Sequence, residues 1–165
     1  MFFRCILYMA LIGIASFLLG RIMPASWFHE NEFPYRSYKW EKSGSVYKAL
    51  NIQKWQKKLP DMSRILPGVM QEKKIGAHFE KDLPLMIKET CIAEFIHVLL
   101  CVAILYCLHL WPGFGGKLFC FIYILVNIPF ILIQRYNRPR LMRLQERVTR
   151  QAEKKSRKEE LECQS

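Results

Sequence analysis

CIAEFIHVLLCVAILYCLHLW (residues 91–111), PGFGGK (112–117) and LFCFIYILVNIPFILI (118–133) decide the fold. A helix needs about 20 apolar residues, at about 1.5 Å each, to cross a hydrocarbon layer about 30 Å thick. The first segment meets that length, and the third approaches it with its flanks. The six residues between them hold one proline and three glycines, the chemistry of a tight turn. Together they read as an antiparallel pair of membrane helices, with Trp111 at the interface where an amphipathic ring belongs.

Working outward, a third apolar run precedes them. Cys5 to Leu19 is bounded by Arg4 and Arg21, and a helix from Phe2 to Leu19 would span roughly 27 Å. The competing reading is a cleaved leader. Met23 stands where a small residue is wanted before Ala25-Ser26, so an uncleaved span is expected. The fold class is then an all-α integral membrane protein, a single membrane domain over 1–165. Its spans lie near 2–20, 91–111 and 117–134, joined by a loop over 21–90 and followed by a tail over 135–165.

Charge gives the orientation. Net charge is +11, and the cations are not evenly spread. Thirteen Lys or Arg lie between Arg21 and Lys88, ten from Arg135 onward, one at Arg4 and one at Lys117. The positive-inside rule puts the loop and tail in the cytoplasm and the N-terminus outside, in a multi-pass protein of the cell membrane. A basic chain seeks an anionic partner. The apolar blocks make that partner membrane lipid or an anionic substrate, not nucleic acid. Six cysteines show no CxxC spacing, and Cys5, Cys101, Cys107 and Cys120 sit inside apolar runs. They read as small membrane-compatible side chains, with no disulfide framework, no metal site and no cofactor.

The loop carries a pattern of its own. Trp40, Tyr47 and Trp55 recur at seven- and eight-residue intervals, among Lys42, Lys48, Lys54, Lys57 and Lys58. That spacing predicts one amphipathic helix, lying in the headgroup layer or packing on the spans. Leu59-Pro60-Asp61 would end it. Asp82 and Pro84 read as the cap and first turn of the helix that leads into residue 91. The highly charged tail from Arg143 to Glu162 reads as an exposed helix or a disordered end.

Ionisable groups inside a span are costly, so each is a candidate functional residue. Glu94 and His97 are three apart and share a helical face with Thr90 and Cys101. In a hairpin turning at 111–117, facing positions sum to about 228. Glu94 then lies near Gln134, and Cys101 near Asn127. Gln134-Arg-Tyr-Asn-Arg-Pro-Arg-Leu141 places Arg135, Arg138 and Arg140 at the membrane edge, an anion site. A mechanism is expected from these residues. His97, oriented by Glu94 or Glu89, would take a proton from an attacking hydroxyl. The arginines would hold the anionic group of an acyl carrier, and Asn127 or Gln134 would steady an oxyanion. The plainer reading pairs Glu94 and His97 with Arg135 to hold the hairpin together, and makes the arginines a headgroup anchor. His29, His78 and His109 show no partner pattern. No H-E-x-x-H motif or phosphate loop is present.

At these residues the sequence resembles the glycosyl-4,4'-diaponeurosporenoate acyltransferase family. The resemblance rests on Glu89-Thr90, Ala93-Glu94-x-Ile96-His97, Asn127-x-Pro129 and Gln134 to Leu141, where Tyr136 and Asn137 stand among the arginines. It extends to the loop pattern Trp40-Glu41-Lys42, Gly44, Tyr47, Trp55 and Leu59-Pro60-Asp61. What it implies is esterification of a fatty acyl group onto a sugar hydroxyl of a carotenoid-type glycolipid. The implied partners are an acyl carrier (acyl-coenzyme A or acyl-carrier protein) and a lipid-linked sugar acceptor. With three spans, a closed lipid-facing pocket would call for a second copy or another partner.

Overall fold

In a computed structural model, which describes residues 1–56 and 79–163, the turn at 112–117 owes its shape to missing side chains. Gly113 has φ +98°, in the left-handed region. A Cβ on Gly116 would lie 2.0 Å from the Trp111 carbonyl oxygen, and one on Gly115 would lie 2.2 Å from the Trp111 ring. Trp111 thus folds across the first turn of the returning helix. Gly116→Ala should cost about 1–3 kcal/mol, the range for overpacking a filled site. The readout is the thermal midpoint in detergent. Gly13→Ala is the control, because a Cβ there meets nothing within 4 Å.

The helices in chain order are α1 (Phe2–Ile22), α2 (Ser45–Ala49), α3 (Ile52–Trp55), α4 (Phe79–Ala103), α5 (Cys107–Leu110) and α6 (Phe114–Cys163). Short 3-10 turns occupy Ala25–Trp27, Lys39–Gly44 and Ile104–Tyr106. No strand occurs among the described residues. Phe2–Ile22, Glu80–Leu110 and Phe114–Glu162 are long and apolar enough to cross a bilayer, with mean hydropathies of 2.1, 2.4 and 2.1 over an 18-residue stretch of each. Leu7, Leu11, Ile14 and Leu18 of α1, and Phe121, Ile122 and Leu125 of α6, face outward. In water such a surface would drive aggregation; in hydrocarbon it is solvated.

α4 and α6 form the hairpin. Residues bonded across it sum to between 224 and 229, close to the expected register. α1 lies against them. Its Phe2 ring meets Trp111 at 5.8 Å and Phe119 at 6.1 Å. Its Gly20 faces Ile92 and Ile96. The N-terminus and the turn therefore share one end of the bundle, and the loop and the polar half of α6 share the other.

The tip core is Cys5, Ile104, Cys107 and Cys120. Here α4 gives way to a 3-10 turn, which disturbs its ladder at membrane depth. Exposed carbonyls in hydrocarbon cost several kcal/mol each, so they must find donors. Tyr8 Oη donates to the Ala103 carbonyl at 2.9 Å, and Cys120 Sγ to Ile104 at 3.2 Å. Cys5 Sγ reaches the Cys107 carbonyl at 4.0 Å. Cys5, Cys91, Cys101, Cys107 and Cys120 are all free thiols.

Two expectations need correction. The continuous helix over Trp40–Trp55 is instead a 3-10 turn followed by α2 and α3, separated at Asn51 with φ +51°. Helices this short are not self-sustaining, and Asn tolerates the left-handed conformation that separates them. The aromatic residues still gather: Trp40, 61% exposed, meets the buried Tyr47 ring edge-on at 6.3 Å, and Trp55 packs against the Tyr47 cluster. At the next helix, α4 is already under way at Phe79, which places Asp82 in its first turn, not at its cap. The tail takes the helical form of its two expected readings: α6 runs 50 residues through Pro129 and Pro139. At about 1.5 Å per residue that is about 75 Å, over twice a hydrocarbon core. Its C-terminal half is an exposed helix. The proline break at Leu59-Pro60-Asp61, with Lys57, Lys58 and His78, lies outside the described residues.

Candidate active site

α4 carries Thr90, Glu94 and His97 along one face because residues three and four apart stack on a helix. α6 meets them with Arg138, Arg135 and Asn127 at matching depth. Glu94 is 4% exposed, and its two oxygens take different arginines. Arg135 Nε donates to Oε1 at 2.8 Å, and Arg138 Nη2 donates to Oε2. Arg138 Nε also donates to Thr90 Oγ1 at 2.9 Å, and its Nη2 to the Thr90 carbonyl at 3.1 Å.

The loop supplies the rest. Arg135 Nη1 donates to Glu41 Oε1 at 2.6 Å and Nη2 to the Pro34 carbonyl at 2.7 Å. Arg138 Nη1 donates to the Tyr35 carbonyl at 2.7 Å. Arg135 lies over the Tyr38 ring at 5.2 Å, and Arg138 over the Tyr35 ring at 5.3 Å. Glu41 also accepts from Tyr47 Oη at 2.6 Å and from the Tyr38 N–H at 2.9 Å. Two guanidiniums and two carboxylates thus form a neutral, buried cluster. It fastens residues 34–47 over the loop end of the hairpin. Tyr47 in turn packs on Ile52 and Tyr136.

Burial alone would raise the Glu41 carboxyl, but bonds from Tyr47, Tyr38 and Arg135 outweigh it and hold the group below its ordinary 4.5. Burial and the Glu41 carboxylate push the Tyr47 hydroxyl up. A carboxyl lowered on folding contributes stability above its unfolded value, and that contribution fades as pH falls through the lower folded value. The unfolding midpoint should therefore drop from about pH 5 downward. Glu41→Gln should flatten that slope and cost about 1–3 kcal/mol at neutral pH. Melts in detergent across pH 3–8 (about that range) measure both; parallel slopes would rule out the Glu41 assignment.

His97 stands one turn deeper, half-buried. Its Nδ1 lies 3.0 Å from Asn127 Oδ1, and its ring stacks on Phe130 at 4.8 Å and 10°. Asn127 Nδ2 donates to the Tyr123 carbonyl at 2.9 Å. A carbonyl only accepts, so the amide nitrogen must face Tyr123 and the amide oxygen must face His97. Nδ1 is then the protonated nitrogen of the neutral ring, and Nε2 carries the lone pair.

Several sequence-predicted residues take other places. The partner that orients His97 is Asn127, because the Glu94 carboxylate is held by two arginines. Arg135 and Arg138 are neutralised internally, whereas Arg140 is exposed and lies over the Tyr136 ring at 4.8 Å. Tyr136 is 1% exposed and belongs to the core. Gln134, Asn137 and Glu89 are half-buried on their helices. Spacing missed Glu41, Tyr35, Tyr38 and the Pro34 carbonyl. The single sequence signal was Glu41 in the Trp40-Glu41-Lys42 pattern.

The family model of glycosyl-4,4'-diaponeurosporenoate acyltransferase matches residues 24–147, which hold every residue of this cluster. The chain belongs to that family. Proteins named glycosyl-4,4'-diaponeurosporenoate acyltransferase from Staphylococcus aureus strains bovine RF122 / ET3-1 and USA300 are each 26% identical to it over 153 residues, covering 92% of either chain. No solved structure matches. Membership in the glycosyl-4,4'-diaponeurosporenoate acyltransferase family makes the chain an acyltransferase, and its three apolar helices make it a membrane protein.

Proposed function

We propose that this acyltransferase esterifies a fatty acyl group onto a sugar hydroxyl of a lipid-linked, carotenoid-type glycoside at the cytoplasmic rim of the membrane. The observation that carries the reading is the Tyr123–Asn127–His97 chain, which leaves Nε2 as a base one turn below the Arg–Glu cluster.

The chemistry balances with a thioester donor. The acceptor hydroxyl gives its proton to His97 Nε2 as its oxygen attacks the thioester carbonyl. The tetrahedral oxyanion collapses, the new C–O bond stays and the C–S bond breaks. The imidazolium returns its proton to the leaving thiolate, so one ester and one thiol result. Gln134 and Asn137 stand about 10 and 15 Å of helix nearer the rim than Asn127, where their amides meet the acyl carrier. Arg140 is the cation left for the donor's anionic group. Asn127 serves as a positioning residue, because its amide already holds His97 and Tyr123. Glu94, Arg135 and Arg138 hold the frame, and Glu89 stands beside Thr90 as a second carboxylate near the rim.

The positive-inside distribution supports a cytoplasmic loop and tail, which brings the site to the side where acyl carriers are made. The test is purified protein in nanodiscs with a glycosylated carotenoid acid and an acyl thioester. Mass spectrometry should find the acceptor heavier by one acyl group. No ester from acyl-coenzyme A or acyl-carrier protein would overturn the reading.

A further inference from the structure

Beyond the membrane, α6 carries Arg140, Arg143, Arg147, Arg150, Lys154 and Arg157, spaced three, four, three, four and three apart. At 3.6 residues per turn they fall within an arc of about 100° along about 26 Å of helix. All six are exposed. The tail's ion pairs, Lys155–Glu159 and Lys158–Glu162, leave them out. Glu146 and Glu153 stand four residues before Arg150 and Arg157 and line a groove with Glu30, Asn31 and Arg150, so the stripe's acidic neighbours lie along one edge at Arg150. The stripe continues the face of Leu132, Ile133 and Tyr136 that packs on Tyr47, Ile52 and Trp55. Exposed Lys54 stands beside that packing.

We infer that this stripe is the docking surface for an acidic soluble protein that presents the acyl thioester. The inference rests on the acyltransferase reading above and names its donor. Two magnitudes favour this occupant. Arg157 lies about 33 Å of helix beyond Arg135. Even at a 40° tilt it stands about 25 Å above the rim, three Debye lengths at physiological salt. Anionic headgroups exert little pull there. A nucleotide thioester, for its part, places its phosphates close together and would engage two or three of these cations, not six along 26 Å. A protein surface rich in Asp and Glu spans the whole stripe. Its first member, Arg140, lies five residues from Arg135, so a docked carrier sits above the rim that its acyl chain must reach.

The experiment uses full-length protein in phosphatidylcholine nanodiscs and a purified acyl-carrier protein as probe. Wild type should bind it with a Kd that rises at least tenfold between about 50 and 300 mM salt, as several charge contacts require. R147E/R150E/K154E should weaken binding at least tenfold and lower kcat/KM with the carrier-borne donor equally. Its activity with a short uncharged thioester should be unchanged. Equal carrier binding by wild type and variant overturns the docking surface, as does a loss confined to nanodiscs of anionic lipid. Carrier binding that depends on the stripe without ester formation from any donor overturns the acyltransferase mechanism and leaves the surface standing.

Discussion

His97→Ala should lower kcat for acyl transfer by about 10²–10⁴-fold, the usual contribution of a positioned general base. The imidazole is held from both sides: Asn127 takes Nδ1 at 3.0 Å and Phe130 stacks on the ring. Stability should fall by only about 1–3 kcal/mol, the cost of leaving the buried Asn127 amide oxygen without its donor. The contrast of a large rate loss with a small melting shift separates a base from a structural histidine. Asn127→Leu should fall between wild type and His97→Ala. It leaves the base in place and removes the group that selects its tautomer. Initial rates with a saturating thioester donor measure both variants. Wild-type turnover by His97→Ala would remove His97 from the mechanism.

Glu94→Leu should give the opposite pattern, with the largest loss of stability of any single change proposed here, about 3–5 kcal/mol. The carboxylate is buried and holds two guanidiniums whose side chains are 14% and 3% exposed. Its removal leaves Arg135 with Glu41 and the buried Arg138 with only Thr90 and the Tyr35 carbonyl as partners. The worth of the intact cluster over an apolar one is small, because desolvation offsets much of the attraction. Breaking it halfway is what costs. A double variant, Glu94→Leu with Arg138→Leu, should therefore recover part of the loss. Melting in detergent across the four-member cycle measures the coupling. A coupling energy below about 0.5 kcal/mol would mean that the pair contributes no more than an exposed one.

The spans were legible because lipid imposes a long, simple requirement that apolar runs meet on their own. The turn was legible from Pro112 and the glycines after it. Register followed from geometry, and Glu94 duly lies opposite Arg135. The helix bounds of the loop were not legible. Periodicity of Trp40, Tyr47 and Trp55 suits one helix, but Asn51 takes a left-handed conformation and interrupts it. The site was half visible. A carboxylate and a histidine three apart reveal a face, but not which group across the hairpin each will hold. Glu94 had two arginines available and His97 had an amide, and burial of charge decided between them. Glu41 lies about ninety residues from Arg135 in sequence, and no local pattern announces so distant an ion pair.

The cluster of residues 34–41, 90–94 and 135–138 also orders the protein's birth. Glu41 and Glu94 leave the ribosome long before the arginines that neutralise them. Until the last helix threads its middle into place, both acids wait at the bilayer edge without the two guanidiniums that bind them in the finished fold. A polypeptide halted before Arg135 can never close that clasp, which makes incomplete chains chemically distinct from finished ones. Pulse-chase of a chain ending at residue 134 should show it cleared by membrane proteases faster than one ending at residue 141.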